Sequence, residues 1–209
     1  MEIMNKGIKH LWIDTETMSF EQTKPDIIQL AGMYEVDGEI KDKFNYWIRP
    51  ARLDCLEPGI WEFHKEHLVL TKKDIMNFPD QNEVFLDFSR RISSYVDSRD
   101  KTDRLIMSGY NVAFDRNKIN SWFLHNGDNY LFARIAGRML DVYHILAFLL
   151  DDLNLPSFKL ENVWKYMVKN GIVKQIEGSN HSAITDIKQT YILYKKLCIP
   201  AREAYINSL

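Results

Sequence analysis

Short apolar runs dominate the first fifty residues, and helical spacing takes over afterwards. Ile8 to Asp14 (IKHLWID) is mostly apolar with aromatic and β-branched content, which predicts a strand. Ile27 to Val36 (IIQLAGMYEV) predicts a second strand. Asp37-Gly38, a strong hairpin signal, follows it, and Lys43 to Ile48 supplies a third strand. Pro50 and Pro58 bracket a loop. From there to about Val96 the period is helical, with Val84, Phe85, Phe88, Ile92 and Tyr95–Val96 at helix spacing. Arg104 to Tyr110 predicts a fourth strand, and Asp115 to His125 a helix with Ile119, Trp122 and Phe123 inward. Arg138 to Asp141 predicts a very short fifth strand before an apolar helix through Leu150. Pro156 breaks the chain, Leu160 to Val168 is helical, and Gly178-Ser179-Asn180 makes a turn. The last helix places Ile184, Ile187, Tyr191, Tyr194 and Leu197 on one face. Three antiparallel strands followed by alternating helices and strands predict an α/β fold, one mixed sheet with helices packed on it.

Composition narrows the class. A chain of 209 residues, without internal repeat, low-complexity tract or linker, fits a single domain, and 45% hydrophobic residues suffice for a core. The expected boundaries are a core over about residues 8–198 and a short tail, 199–209. No apolar run approaches the roughly 20 residues that span a bilayer. The first residues, MEIMNKGIKHLWIDTET, have no long apolar stretch and no small-residue cleavage site. Cys55 and Cys198 make a poor disulfide framework. These features lead us to expect a cytoplasmic protein with no membrane partner. Lys plus Arg is 27 and Asp plus Glu is 29, a formal net charge of −2. That disfavours a passive phosphate binder, but it suits an enzyme that carries its cations as bound metals.

Three acidic segments carry the candidate chemistry. Asp14-Thr15-Glu16 ends the first strand, where residues i and i+2 share a face, so two carboxylates stand side by side. Such a pair repels unless a hard cation such as Mg²⁺ lies between them. A polar strand end is the plainer explanation. Asn111-Val112-Ala113-Phe114-Asp115 follows the fourth strand. There Asp115 suits a helix dipole as well as a ligand role, and Asn111 suits a turn. His181-Ser182-Ala183-Ile184-Thr185-Asp186 opens the last helix, with Asp186 beside the buried Ile184 and Ile187 and His181 next to a small-residue turn. His64-x-x-His67 with Cys55 suggests a zinc site, but no fourth ligand can be named. Asp141, ahead of an apolar helix, reads as a cap.

In combination and order, these segments resemble the DnaQ-like (DEDDh) 3′–5′ exonucleases, which have the ribonuclease H-like fold. Members include the proofreading exonuclease subunit of the bacterial replicative polymerase, DNA polymerase III, and several RNA-trimming enzymes. The resemblance covers about residues 8–198 and extends to IIQLA at Ile27–Ala31, Ile48-Arg49-Pro50, Phe63-His64 and Leu160-Glu161-Asn162-Val163. Two departures stand out. Met18 and Ser19 follow Thr17 where the family often has Thr-Gly, and Tyr110 stands where proofreading subunits tend to carry His.

The resemblance implies a five-stranded mixed sheet and a site holding two divalent ions, Mg²⁺ with Mn²⁺ able to substitute. Asp14 would bridge the ions, Glu16 and Asp186 would serve the one that activates water, and Asp115 would serve the other. His181 would be the general base, with a pKa raised by its acidic neighbours. The implied reaction releases nucleoside 5′-monophosphates from the 3′ ends of single-stranded DNA or RNA, with a separate DNA polymerase as a candidate partner. For the terminal sugar the candidates are Thr15 and Thr17. For the last bases they are Met18, Phe63, His64 and Phe114, with core packing an equal reading for Phe114 and a loop or helix surface at least an equal one for His64. Asn111 would orient the loop bearing Asp115. DNA is the expected substrate, RNA trimming the alternative of the same chemistry, and an inactive binding module the remoter one.

Overall fold

Five strands, β1 (Lys9–Thr17), β2 (Ile27–Val36), β3 (Glu39–Trp47), β4 (Leu105–Gly109) and β5 (Ile135–Asp141), form one sheet in the order β3-β2-β1-β4-β5. β1 and β2 pair antiparallel, as do β2 and β3, whereas β4 runs parallel to both β1 and β5. The mixed α/β sheet implied by the resemblance is therefore present. The structure, a computed structural model, describes residues 7–51, 57–97, 99–177 and 181–208. The expected turn at 178–180 and Cys55 lie outside the described residues.

Alternation along the central strand sorts the two faces. Leu11 and Ile13 of β1 pack with Val84, Phe85, Phe88 and Ile92 of α3 (Gln81–Ser94) and with Ile119, Trp122 and Phe123 of α4 (Val112–His125). Trp12 points the other way, into Val142 and Leu146 of α6 (Val142–Leu149), Val163 and Trp164 of α7 (Leu160–Lys169) and Ile187 of α8 (Ala183–Leu193). Burying each such side chain stabilises the fold by about 1.5–3 kcal/mol. A one-residue slip of β1 would reverse every assignment, so the core fixes which way the next residues face.

The region from Pro58 to Val96, expected to be helical, is broken into α1 (Pro58–His67), α2 (Lys72–Asn77) and α3. Val69 has a positive φ of 54°, and Thr71 starts α2 with a capping box closed by Asp74. Pro79 then forces Phe78 into an extended conformation, where α2 stops. β3 starts four residues before its expected position, directly after the turn, in which Asp37 and Gly38 both have φ above zero. Its outer residues are exposed and polar, which hid it from an apolar-run reading. β5 likewise begins earlier, at Ile135, after a short helix, α5 (Leu131–Arg134), that the sequence did not reveal. Beyond α8, a π-helical turn (Tyr194–Cys198) leads into an exposed helix, α9 (Ile199–Asn207), where only a tail was expected. No helix among the described residues is long and apolar enough to cross a membrane.

The connection between β1 and β2 is anchored by a buried ion pair. Lys118 of α4 is fully buried and its Nζ lies 2.5 Å from Asp26, which also accepts from the Ser19 hydroxyl. Removing one partner strands the other charge in the interior. Asp26→Ala is expected to cost about 3–5 kcal/mol of stability; urea unfolding measures it, and a loss below ~1 kcal/mol would contradict a dehydrated pair.

Candidate active site

Because Asp14 and Glu16 share the Trp12 side of β1, they face α8. Asp186, in the first turn of α8, meets them there, and one oxygen from each of the three carboxylates lies within 4.8 Å of the others. The start of α8 is pinned to the sheet by the Ala183 N–H, which donates to the buried Gln29 side chain at 3.1 Å. Gln29 belongs to the IIQLA run, so that run has a positioning role besides filling the core.

The fourth carboxylate arrives from the opposite side. Gly109 ends β4 so close to β1 that a Cβ there would lie 2.7 Å from the Ile13 carbonyl oxygen. Asn111, with φ of 58°, then turns the chain into α4, a left-handed conformation that Asn tolerates. Its N–H donates to Asp141 at 2.9 Å, and Asp141 also caps α6 through the Tyr143 N–H. Asp115 follows in the first turn of α4 and is buried. Its Oδ1 accepts from both the Thr15 N–H (2.9 Å) and the Thr15 hydroxyl (2.7 Å). Thr15 thus spends both donors on Asp115 while still lining the cavity beside the cluster, and Asn111 acts through its backbone at the turn.

Four carboxylates gathered this closely resist ionisation. Burial pushes Asp14 well above the usual carboxylate range, and the charges of Asp115, Asp186 and Glu16 add to it. Glu16 is raised in the same way, by burial and then by Asp186 and Asp115. Asp115 is pushed up to about 7 by burial, although its bonds from Thr15 oppose the shift. Asp186 is also pushed up to about 7 by burial, against a backbone N–H bond from His181. An anionic cluster of this kind calls for compensating positive charge, and hard oxygen donors suit divalent cations of the Mg²⁺ class.

Beside the cluster opens a cavity of about 620 Å³, lined in part by Glu16, Thr17, Phe63, His64, Phe114 and His181. His67 and Glu161 line it too, as do Phe20, Ile60 and Lys159, which the sequence did not single out. Met18 does not belong to it. It is fully buried against Ile28, Leu70 and Ile75: alternation alone would put it on the Glu16 side, but the register shifts between Glu16 and Thr17 and the strand ends there. The Thr17 hydroxyl donates to the Ser19 carbonyl at 2.9 Å. His64 is buried, with Nε2 2.7 Å from the Thr17 carbonyl oxygen and Nδ1 3.9 Å from Glu16. His67 turns Nδ1 toward the Phe63 carbonyl oxygen at 2.9 Å; neither it nor His64 belongs to the group of potential metal ligands found among the described residues, Asp14, Glu16 and Asp186.

His181 sits just before α8 in the left-handed conformation, φ 63°. Its ring makes edge contacts with Phe63 and His67, at centroid distances of 5.0 and 4.7 Å. Its Nε2 lies 3.4 Å from a carboxylate oxygen of Glu161. Burial lowers the His181 pKa below 6.5 despite that carboxylate, the reverse of the rise expected from acidic neighbours, because the ring is more dehydrated than it is paired.

Comparison with known proteins agrees with this geometry. A family model for RNase_T, described as exonuclease, matches residues 11–194. No curated protein sequence matches the chain. A structure of Escherichia coli exonuclease I in complex with a 5cy-dT13 oligonucleotide is similar at 18% identity, with a TM-score of 0.69, over 96% of this chain and 43% of that one. The zinc-bound form of the E. coli enzyme with single-stranded DNA aligns at 16% identity, with a TM-score of 0.71, over 96% and 42% of the two chains. A product-bound structure of exonuclease I aligns at 18% identity, with a TM-score of 0.62, over 96% and 46%. The chain spans less than half the length of these proteins, and the likeness establishes the shared fold.

Proposed function

The chain belongs to the exonuclease family, and from that premise we propose that it is a metal-dependent 3′–5′ exonuclease. It hydrolyses phosphodiester bonds at the 3′ end of single-stranded nucleic acid, DNA in preference to RNA, and releases nucleoside 5′-monophosphates. The observation that carries this reading is the convergence of Asp14, Glu16 and Asp186 within 4.8 Å, at the edge of a cavity that His181 also lines.

Two divalent ions, Mg²⁺ or Mn²⁺, supply when bound an acidified water and the positive charge that an in-line displacement at phosphorus needs. Asp14, Glu16 and Asp186 would hold them, and Asp115 would offer the carboxylate oxygen that Thr15 leaves free. His181 takes the proton from the attacking water, and burial keeps its imidazole neutral and receptive near neutral pH. Phe63 and Phe114 offer ring surfaces to the terminal bases, and Lys159 offers a cation to the strand. Such contacts are sequence-tolerant, as an exonuclease requires. The single-stranded DNA in the exonuclease I complexes favours DNA as the substrate here. Matched DNA and RNA oligonucleotides, with products identified by mass, test this: faster release of deoxynucleoside 5′-monophosphates is expected, and faster RNA cleavage would reassign the substrate.

The raised carboxyl pKa values make a further prediction. Asp115 and Asp186 titrate at about 7 in the folded protein against 3.8 ordinarily, so the folded state binds more protons between those values. Without metal, stability therefore falls as pH rises through that window. The deprotonated carboxylates would accept Mg²⁺ in place of the lost protons, and the protonated ones would hold it poorly. Mg²⁺ is expected to raise the melting temperature by at least about 5 °C more near pH 8 than near pH 5.5. Equal gains at both pH values, read by differential scanning fluorimetry against EDTA, would contradict it.

A further inference from the structure

We infer that Glu161 is a positioning residue for His181, selecting which imidazole nitrogen bears the proton and holding the ring in place; this rests on the general-base reading of His181. The Phe63 and His67 contacts confine the plane of the His181 ring, at interplanar angles of 68° and 89°. Edge contacts of that kind do not distinguish the two nitrogens, so a flipped ring would satisfy them equally well. Glu161, 3.4 Å from Nε2, does distinguish them. A carboxylate accepts but cannot donate, so the proton stays on Nε2 and Nδ1 keeps the basic lone pair.

The placement of Glu161 suits this task. It stands in the first turn of α7, where the helix dipole favours a negative charge. Lys165, one turn on, lies 3.5 Å from the same carboxylate oxygen and steadies it from the solvent side. Glu161 is outside the group of three carboxylates whose oxygens converge, but it lines the cavity and its charge reaches Asp186, so the variants below separate an action through His181 from one on the cluster or substrate. The backbone N–H of His181 in turn donates to Asp186, so a swing of the His181 segment would disturb the carboxylate cluster as well.

The test is a double-mutant cycle read as kcat and KM on a single-stranded DNA oligonucleotide with Mg²⁺, using Glu161→Ala, Glu161→Asp, His181→Ala and the double variant. Glu161→Ala is expected to lower kcat at least about tenfold with KM within about twofold. Glu161→Asp is expected to recover part of that loss, and the double variant to be no slower than His181→Ala. Lys165→Ala, at an exposed position, should stay within about twofold of wild type. Wild-type kcat in Glu161→Ala beside an inactive His181→Ala would overturn the inference and leave the general base standing. So would additive losses, or a loss confined to KM, because Glu161 would then act on metal or substrate directly. Full activity in His181→Ala would overturn the general-base reading itself.

Discussion

Asp14→Asn is expected to stop turnover while stabilising the protein in the absence of metal. Asp14 suffers burial and the charges of three other carboxylates, and no group among the described residues acts to lower its pKa in return. The amide keeps the shape and removes the charge, so the metal-free fold should gain stability and melt higher in EDTA near pH 8. The same change removes a central anionic ligand, and kcat should fall below roughly one-thousandth of wild type. Both halves are needed. A variant that melts lower would mean that the Asp14 charge supports the fold. A variant that turns over normally would mean that cations are held elsewhere.

His181→Ala is the second large effect. A positioned general base contributes about 10²–10⁴-fold, so kcat should fall by that factor while KM and the Mg²⁺ requirement remain. The pH profile provides the sharper reading. Burial lowers the His181 pKa below 6.5, and bound cations would lower it further by repulsion. The base works only when neutral, so the rate should fall as pH drops through a value below about 6.5. That acid limb should vanish in His181→Ala. An unchanged limb in the variant would assign it to the carboxylates.

Much of this was legible in the residues, for identifiable reasons. Strands buried on both faces, such as Ile27–Val36, declared themselves as near-continuous apolar runs, and the i, i+2 rule put Asp14 and Glu16 together. Edge strands did not: the outer half of β3 alternates polar residues exposed to solvent, and so lacks an apolar run. At the site, motif order brought Asp14, Glu16, Asp115, His181 and Asp186 to one end of the sheet. Their immediate partners followed no such pattern. That Thr15 would be occupied by Asp115, one hundred positions away, depends on how α4 docks under β1. Glu161 and His181 are likewise unlinked by local spacing, and only the packing of α7 against α8 joins them. Met18 was misread because the alternation of β1 breaks at the register shift between Glu16 and Thr17, and the residue beyond it packs into the core beside Ile28.

One measurement bears most directly on the account. A 5′-labelled single-stranded DNA oligonucleotide is incubated with the protein in Mg²⁺, in Mn²⁺ and in EDTA, beside Asp14→Ala. The account predicts a ladder that shortens one nucleotide at a time from the 3′ end with either metal, and no cleavage in EDTA or in the variant. A folded wild-type protein that yields no ladder with either metal, or one that cuts equally well in EDTA, would contradict it.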